Sequence, residues 1–208
     1  MATRLPTGIG VLDQRLGGGI PAGSVLALTA SPDSQAELIL YELTAARETL
    51  YLTLDRSEFA LADDLRRTAV ETGDPQVQYV GGDDPIEHTT ELVETLPEAS
   101  NLVIDPHSIL ERVERSRYLE FVAQLQAQVI TTDSLAVLHC LEGHDVPALR
   151  DLTEHVADVV FRLETSVEGA RVENRLAVPK FRGGRALTDT IKLELLDRVE
   201  IDTSRDIA

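Results

Sequence analysis

Short apolar runs alternate with helical stretches along almost the whole chain, and this alternation limits the fold more than any other feature. Such a succession closes most readily as a parallel sheet with helices packed on its faces. Residues 24–29 (SVLALT) read as a buried strand. A helix follows over residues 36–48, its apolar load on Leu38, Ile39, Leu40 and Leu43. Further strands are expected at 49–54, 77–80, 101–105, 135–140 and 159–163. Helices are expected over 57–71, 86–96, 118–129 and 147–156, with Gly73, Pro75 and Pro97 as stops. Beyond Leu163 the character changes. Residues 172–178 and 190–201 read as antiparallel strands joined through Gly183-Gly184. The expected organisation is one domain over 1–208: an entry segment 1–23, a core 24–165, C-terminal strands 166–202 and a polar tail 203–208.

Ahead of the first core strand stand Thr7-Gly8-Ile9, then Leu12-Asp13, then Leu16-Gly17-Gly18-Gly19-Ile20-Pro21-Ala22-Gly23-Ser24. This ordered set resembles the entry motif of KaiC/RadA-type ATPases, where it precedes a strand and a Walker A loop. The glycines suit a tight approach to a sheet, with backbone angles that other residues resist. The resemblance implies a RecA-like P-loop NTPase fold of the α/β class, a mainly parallel sheet flanked by helices, with an antiparallel C-terminal extension. It places the phosphate-binding pattern G-x-x-x-x-G-K-[ST] on Ala30, Ser31, Pro32, Asp33, Ser34, Gln35, Ala36 and Glu37. All four consensus positions differ. Ala30 and Gln35 replace glycines, Ala36 replaces the lysine and Glu37 the hydroxyl residue. In an intact loop the glycines let N–H groups wrap the phosphates, the lysine reaches the terminal phosphates and the hydroxyl holds magnesium. Here Asp33 and Glu37 bring carboxylates to that place. Ser34-Gln35-Ala36-Glu37 also fits a capping box, with Ser34 as N-cap. The helix is therefore expected to cap itself where ATP would otherwise do so.

The same resemblance puts Asp105, at the end of Asn101-Leu102-Val103-Ile104-Asp105 and followed by Ser108, in the magnesium-linked Walker B position. After the second strand the family usually carries two glutamates, one activating the attacking water. This chain has Asp55 and Arg56, one acid shortened and the other reversed in charge. A general base must reach its water within hydrogen-bond distance, so no catalytic residue is expected, Asp55 and Asp105 being only family-equivalent positions. Lys180-Phe181-Arg182-Gly183 resembles the family's Lys-x-Arg-Gly segment, whose basic residues reach the phosphate of a neighbouring subunit in ring-forming relatives. Lys180 and Arg182 lie in a basic island: residues 171–185 hold five basic residues and one acid, Glu173. That island reads either as a contact for a phosphate or acidic partner or as a solvated strand face paired with nearby carboxylates.

Charge narrows the function classes. Nineteen basic residues face 36 acidic ones, a net charge of -17, and only Lys180 and Lys192 are lysines. Such a composition resembles that of proteins from salt-loving archaea, whose carboxylate surfaces stay hydrated while salt screens their repulsion. It opposes nucleic-acid binding, which needs clustered cations. No apolar run is long enough for a membrane span, and residues 1–6 lack the apolar core of a signal peptide, so a cytoplasmic location is expected. Cys140 is the single cysteine. The set His139, Cys140, Glu142, His144 and Asp145 fits no zinc spacing, and no metal is expected. Asp105, His107 and Ser108 share a short loop but lack the elbow of a hydrolase nucleophile.

The expected function is a non-catalytic KaiC/RadA-like paralogue, a regulatory or scaffold protein that needs no cofactor. Its partner is expected to be a copy of itself or an intact KaiC/RadA-type ATPase. The first alternative is a weak ATPase or nucleotide sensor binding ATP-Mg, supported by Asp105 and the preserved loop length. The second is a DNA recombination accessory, supported by the basic island alone.

Overall fold

The computed structural model describes residues 3–201. Its elements run β1 (Arg4–Leu5), α1 (Gly10–Arg15), β2 (Ile20–Pro21), β3 (Ser24–Ala30), α2 (Glu37–Ala46), β4 (Thr49–Thr53), α3 (Glu58–Arg67) and β5 (Gln76–Tyr79). Then follow α4 (Pro85–Val93), β6 (Asn101–Asp105), a 3-10 turn (His107–Arg112), α5 (Arg115–Thr131), β7 (Leu135–Leu141), α6 (Arg150–Val156) and β8 (Val159–Glu168). The chain closes with β9 (Arg171–Phe181), β10 (Ile191–Leu195) and β11 (Val199–Ile201). No described helix is long and apolar enough to cross a membrane.

Nine strands form one sheet in the order β11-β10-β9-β8-β3-β7-β6-β4-β5. From β8 to β5 every pairing is parallel, and β9, β10 and β11 extend the sheet in antiparallel fashion. Strand β3 is buried along its whole length between β7 and β8. A strand covered on both faces has no reason to alternate with polar residues, which is why SVLALT reads as one apolar run. Its side chains nevertheless divide. Leu26 and Leu28 join Ile39, Leu43, Tyr51, Leu61 and Phe161 in a core under α1, α2 and α3. Val25 and Ala27 join Leu52, Ile104, Phe121, Leu125 and Cys140 under α4, α5 and α6. Helices thus cover both faces, as the apolar periodicity predicts. Burial raises the Cys140 thiol well above its ordinary pKa, so this cysteine is an inert core residue.

The topology positions a crevice. From β3 the chain crosses to β4, beyond β7 and β6, whereas from β7 it crosses back to β8 on the other side of β3. Connections that diverge from neighbouring strands leave a gap outside their carboxyl ends, where ligands of open α/β sheets bind.

The entry segment carries elements of its own: α1 packs Leu12 into the core, and β1 pairs with β2 through Arg4↔Pro21 and Leu5↔Ile20. Two expectations need correction. The strand expected over 190–201 is two strands, because Leu195 pairs with Val199 and residues 196–198 form a tight turn between them. Several helices are displaced at their ends. The one expected over 147–156 starts only at Arg150, that over 57–71 stops at Arg67, and that over 118–129 starts earlier, at Arg115. The expected tail at 203–208 lies outside the described residues.

Gly19 has a specific role in the entry segment. Its φ is +114°, and a Cβ there would stand 2.3 Å from the Leu5 carbonyl oxygen. Gly19→Ala is expected to destabilise the chain by about 1–2 kcal/mol, since the native backbone is barred to alanine. Chemical denaturation of the variant beside Gly17→Ala, where a Cβ meets nothing within 4 Å, checks the steric part.

Candidate functional site

The loop after β3 leads into α2 without the features of a phosphate cradle. Among the described residues the only non-glycine residues with positive φ are Ala99 and Asp133, so none of residues 30–37 adopts the left-handed backbone. Ala36, at the lysine position, is 1% exposed and has become part of the core. The capping box does not form. The N-cap of α2 is Ala36, with no side-chain cap, and the Ser34 hydroxyl instead donates to the Ser31 carbonyl at 2.7 Å. The helix starts two residues later than that motif requires, because residues 31–34 close a turn through Ser34 N–H to Ser31 C=O. The Gln35 amide, oriented with its nitrogen toward β10, donates to the carbonyls of Leu195 (3.0 Å) and Leu196 (3.1 Å). The C-terminal strands are thereby tied to the loop. Asp33 is exposed, and Ser31 donates to its carboxylate. The loop is also fastened to the end of β7, where Glu142 N–H donates to Ala30 C=O at 2.7 Å. A cleft of about 440 Å³ remains between Ser31, Pro32 and Asp33 on one side and Glu142, Gly143 and His144 on the other.

Asp105 lies beyond this cleft at the end of β6, 4% exposed, with its carboxylate fully engaged. Its Oδ2 accepts from the Tyr51 hydroxyl at 2.7 Å and from Arg56 Nη2 at 2.8 Å. Its Oδ1 meets His139 Nδ1 at 2.6 Å; an ionised carboxylate only accepts, so Nδ1 carries the proton. Burial works against the ionised form of Asp105. The hydrogen bond and charge of His139, the Tyr51 hydroxyl and Arg56 outweigh it and hold the carboxyl below its ordinary range. Arg56 also reaches Asp64 at 3.3 Å and lies 4.0 Å from Asp55. Burial opposes its charge, but Asp105, Tyr51 and Tyr41 keep its pKa above the usual arginine value. One guanidinium thus gathers three carboxylates. Asp55 itself is exposed at the end of β4.

Of the residues singled out in the sequence, the structure brings Asp55, Arg56 and Asp105 together. It adds two that sequence reasoning missed. Tyr51 lay unremarked within the strand expected over 49–54, and His139 read as one of a loose set near Cys140. The signal for His139 was available: alternation along β7 turns it away from Cys140 and toward the face that carries Asp105. Asp105, His107 and Ser108 are not a constellation. On the opposite face His107 meets the Tyr118 hydroxyl at 2.7 Å, and Tyr118 reaches Thr153 Oγ1 at 2.6 Å, which donates to Glu111. Glu111 and Arg150 form a buried ion pair, 1% and 4% exposed. Ser108 Oγ accepts from Arg150 Nη2 at 2.9 Å and from Leu141 N–H at 3.1 Å. Burial pushes His107 down to about 4, so it is neutral at physiological pH. This polar network braces the 3-10 turn against α5 and α6.

Lys180 and Arg182 stand beside the last turn of α6 and satisfy its open carbonyls. Lys180 Nζ donates to the carbonyls of Glu154 (2.8 Å) and His155 (2.6 Å), and Arg182 to those of His155 (3.0 Å) and Val156 (3.2 Å). Arg182 also reaches Asp158 at 3.3 Å. Cations at a helix C-terminus complement its macrodipole. Elsewhere, Arg175 of the basic island and Lys192 of β10 share Glu173. The joint change Lys180→Ala and Arg182→Ala is expected to lower stability by about 1–2 kcal/mol, the sum of two terminal charge–dipole contacts; thermal unfolding at low and high salt checks it, the loss shrinking in salt.

The family model described as "Family of unknown function (DUF7125)" matches residues 4–208. No curated protein matches the chain in sequence. Among solved structures, a KaiC-like protein from the hyperthermophilic archaeon Pyrococcus horikoshii OT3 superposes with a TM-score of 0.77, covering 97% of this chain and 100% of that one. Sequence identity is 16%, so the likeness is one of fold.

Proposed function

We propose that this chain, which belongs to the DUF7125 family, is a non-catalytic relative of KaiC-type ATPases that acts as a regulatory or scaffold partner through protein–protein contacts. The observation that carries this reading is the engagement of Asp105. Both of its oxygens are held by protein donors, and Arg56 supplies the positive charge at the carboxylate that the resemblance pairs with magnesium. With Ala36 in the lysine position and carboxylates at Asp33 and Glu37, the residues present do not fit an ATP–magnesium complex. A triphosphate brought to the end of β3 would meet acid rather than a cationic cradle. The acid-rich, lysine-poor composition supports a salt-loving archaeal source.

The reading is tested by ATP hydrolysis with wild type beside Asp105→Asn. Phosphate release from both should stay at the buffer background. Turnover by wild type that Asp105→Asn abolishes would establish the ATPase alternative, for which the cleft between the loops after β3 and β7 is the structural support.

A further inference from the structure

The chain has four tyrosines and four phenylalanines. Six of these eight are buried; the other two are Phe59, 77% exposed, and Tyr79, 46% exposed. Both lie at one corner of the molecule. Phe59 is in the first turn of α3, and Tyr79 ends β5, the outermost parallel strand. Glu58 joins them, its Oε1 accepting from Tyr79 N–H at 2.9 Å. The Tyr79 ring lies on Gly81, where a Cβ would stand 2.3 Å from a ring carbon. Asp55, Glu58 and Asp83, all within four residues of one or the other aromatic in sequence, are exposed, and among the described residues neither Glu58 nor Asp83 forms an ion pair. Exposed aromatics are the commonest anchors of protein interfaces. Solubility alone gives an acid-rich surface no reason to display two of them on elements joined through Glu58.

We infer that the Phe59–Tyr79 corner docks a segment of a partner protein that presents apolar or aromatic anchors flanked by lysine or arginine. The inference rests on the reading of the chain as a protein-binding module and assigns the surface and the partner's chemistry. The carboxylates select for cations and repel phosphate-rich surfaces, which excludes nucleic acid and anionic lipid as occupants of this corner. Glu58 occupies the Tyr79 N–H on the open edge of β5, so the partner binds through side chains rather than by adding a strand. The corner adjoins Asp55 and Arg56, so a seated partner lies against the Arg56 cluster as well.

The test uses the full chain and a synthetic amphipathic peptide of about 18 residues, five helical turns, built from Leu, Arg and one Trp. A control peptide of equal charge has Ser and Gly for the Leu residues. The protein contains no tryptophan, so peptide fluorescence reports binding without background. Wild type should bind the apolar peptide at least about tenfold more tightly than the control, and the joint change Phe59→Ser and Tyr79→Ser should weaken the apolar peptide about 30-fold while leaving the control unchanged. Equal binding by wild type and variant, or no binding by wild type up to about 1 mM peptide, would overturn the proposal. So would sedimentation showing a wild-type dimer that the same variant dissociates, since the occupant would then be a second copy. Both side chains are exposed, so the variant should keep its circular dichroism and unfolding temperature. ATP binding by wild type would defeat the functional reading and leave this surface to be judged by the peptide data alone.

Discussion

Glu111→Ala should destabilise the protein by about 3–5 kcal/mol, the range for removing one partner of a buried ion pair. Glu111 accepts from Arg150 Nε at 3.0 Å and Nη2 at 2.8 Å, and from Thr153, and none of the groups involved has ready access to water. Without the carboxylate Arg150 keeps only Ser108 and the Leu141 carbonyl. A buried cation so left incurs its desolvation penalty nearly in full. For a chain of this size the unfolding temperature should fall by on the order of 10 °C. The double variant Glu111→Leu with Arg150→Met removes both charges while roughly keeping volume, and should recover most of the loss. A single variant that loses less than about 1 kcal/mol, or a double variant no better than the single, would show that the pair is not buried as described.

The second large effect is expected at Arg56. Arg56→Ala removes the one cation shared by Asp55, Asp64 and Asp105. Its side chain is 28% exposed, so solvent screens part of the interaction, and the expected loss is about 1–3 kcal/mol. Arg56→Lys should restore little, because a compact ammonium cannot span Asp64 and Asp105 as the two Nη atoms of the guanidinium do. The pH dependence has a definite sign. The folded-state pKa of Asp105 is depressed, so its contribution is fully present above the ordinary carboxylate range and is lost as pH falls through the depressed value. Removing Arg56 takes away one cause of that depression. The stability difference between wild type and Arg56→Ala should therefore be greatest near neutrality and shrink in acid. A difference that grows on acidification would contradict the assigned ion pairs.

Much of this arrangement is legible in the residues. The apolar runs mark every core strand within a few positions, because buried parallel strands need unbroken apolar sequence. Register is what pattern cannot supply. His139 finds Asp105 only because β6 lies beside β7 with Ile104 opposite Leu138, a pairing set by the whole sheet. Ser34 and Glu37 satisfied a local motif, yet the backbone spent that hydroxyl on a turn, a competition that short polar residues routinely create. Leu195-Leu196-Asp197 broke the strand alternation and marked the turn between β10 and β11, a local signal open to reading. Lys180 and Arg182 resemble a basic segment of KaiC/RadA-type ATPases, whereas the contacts they make within this chain, to the carbonyls of α6, are with backbone groups that no side-chain pattern reveals.

The proposed function requires that the chain has given up the ATP–magnesium complex, with Arg56 holding the carboxylate that would otherwise serve it. Calorimetric titration of wild type with ATP and magnesium, in molar potassium chloride to suit the acidic surface, tests this most directly. The expected result is no heat of binding up to millimolar nucleotide. Saturable micromolar binding, weakened by Asp105→Asn, would contradict the account and establish a nucleotide sensor in its place.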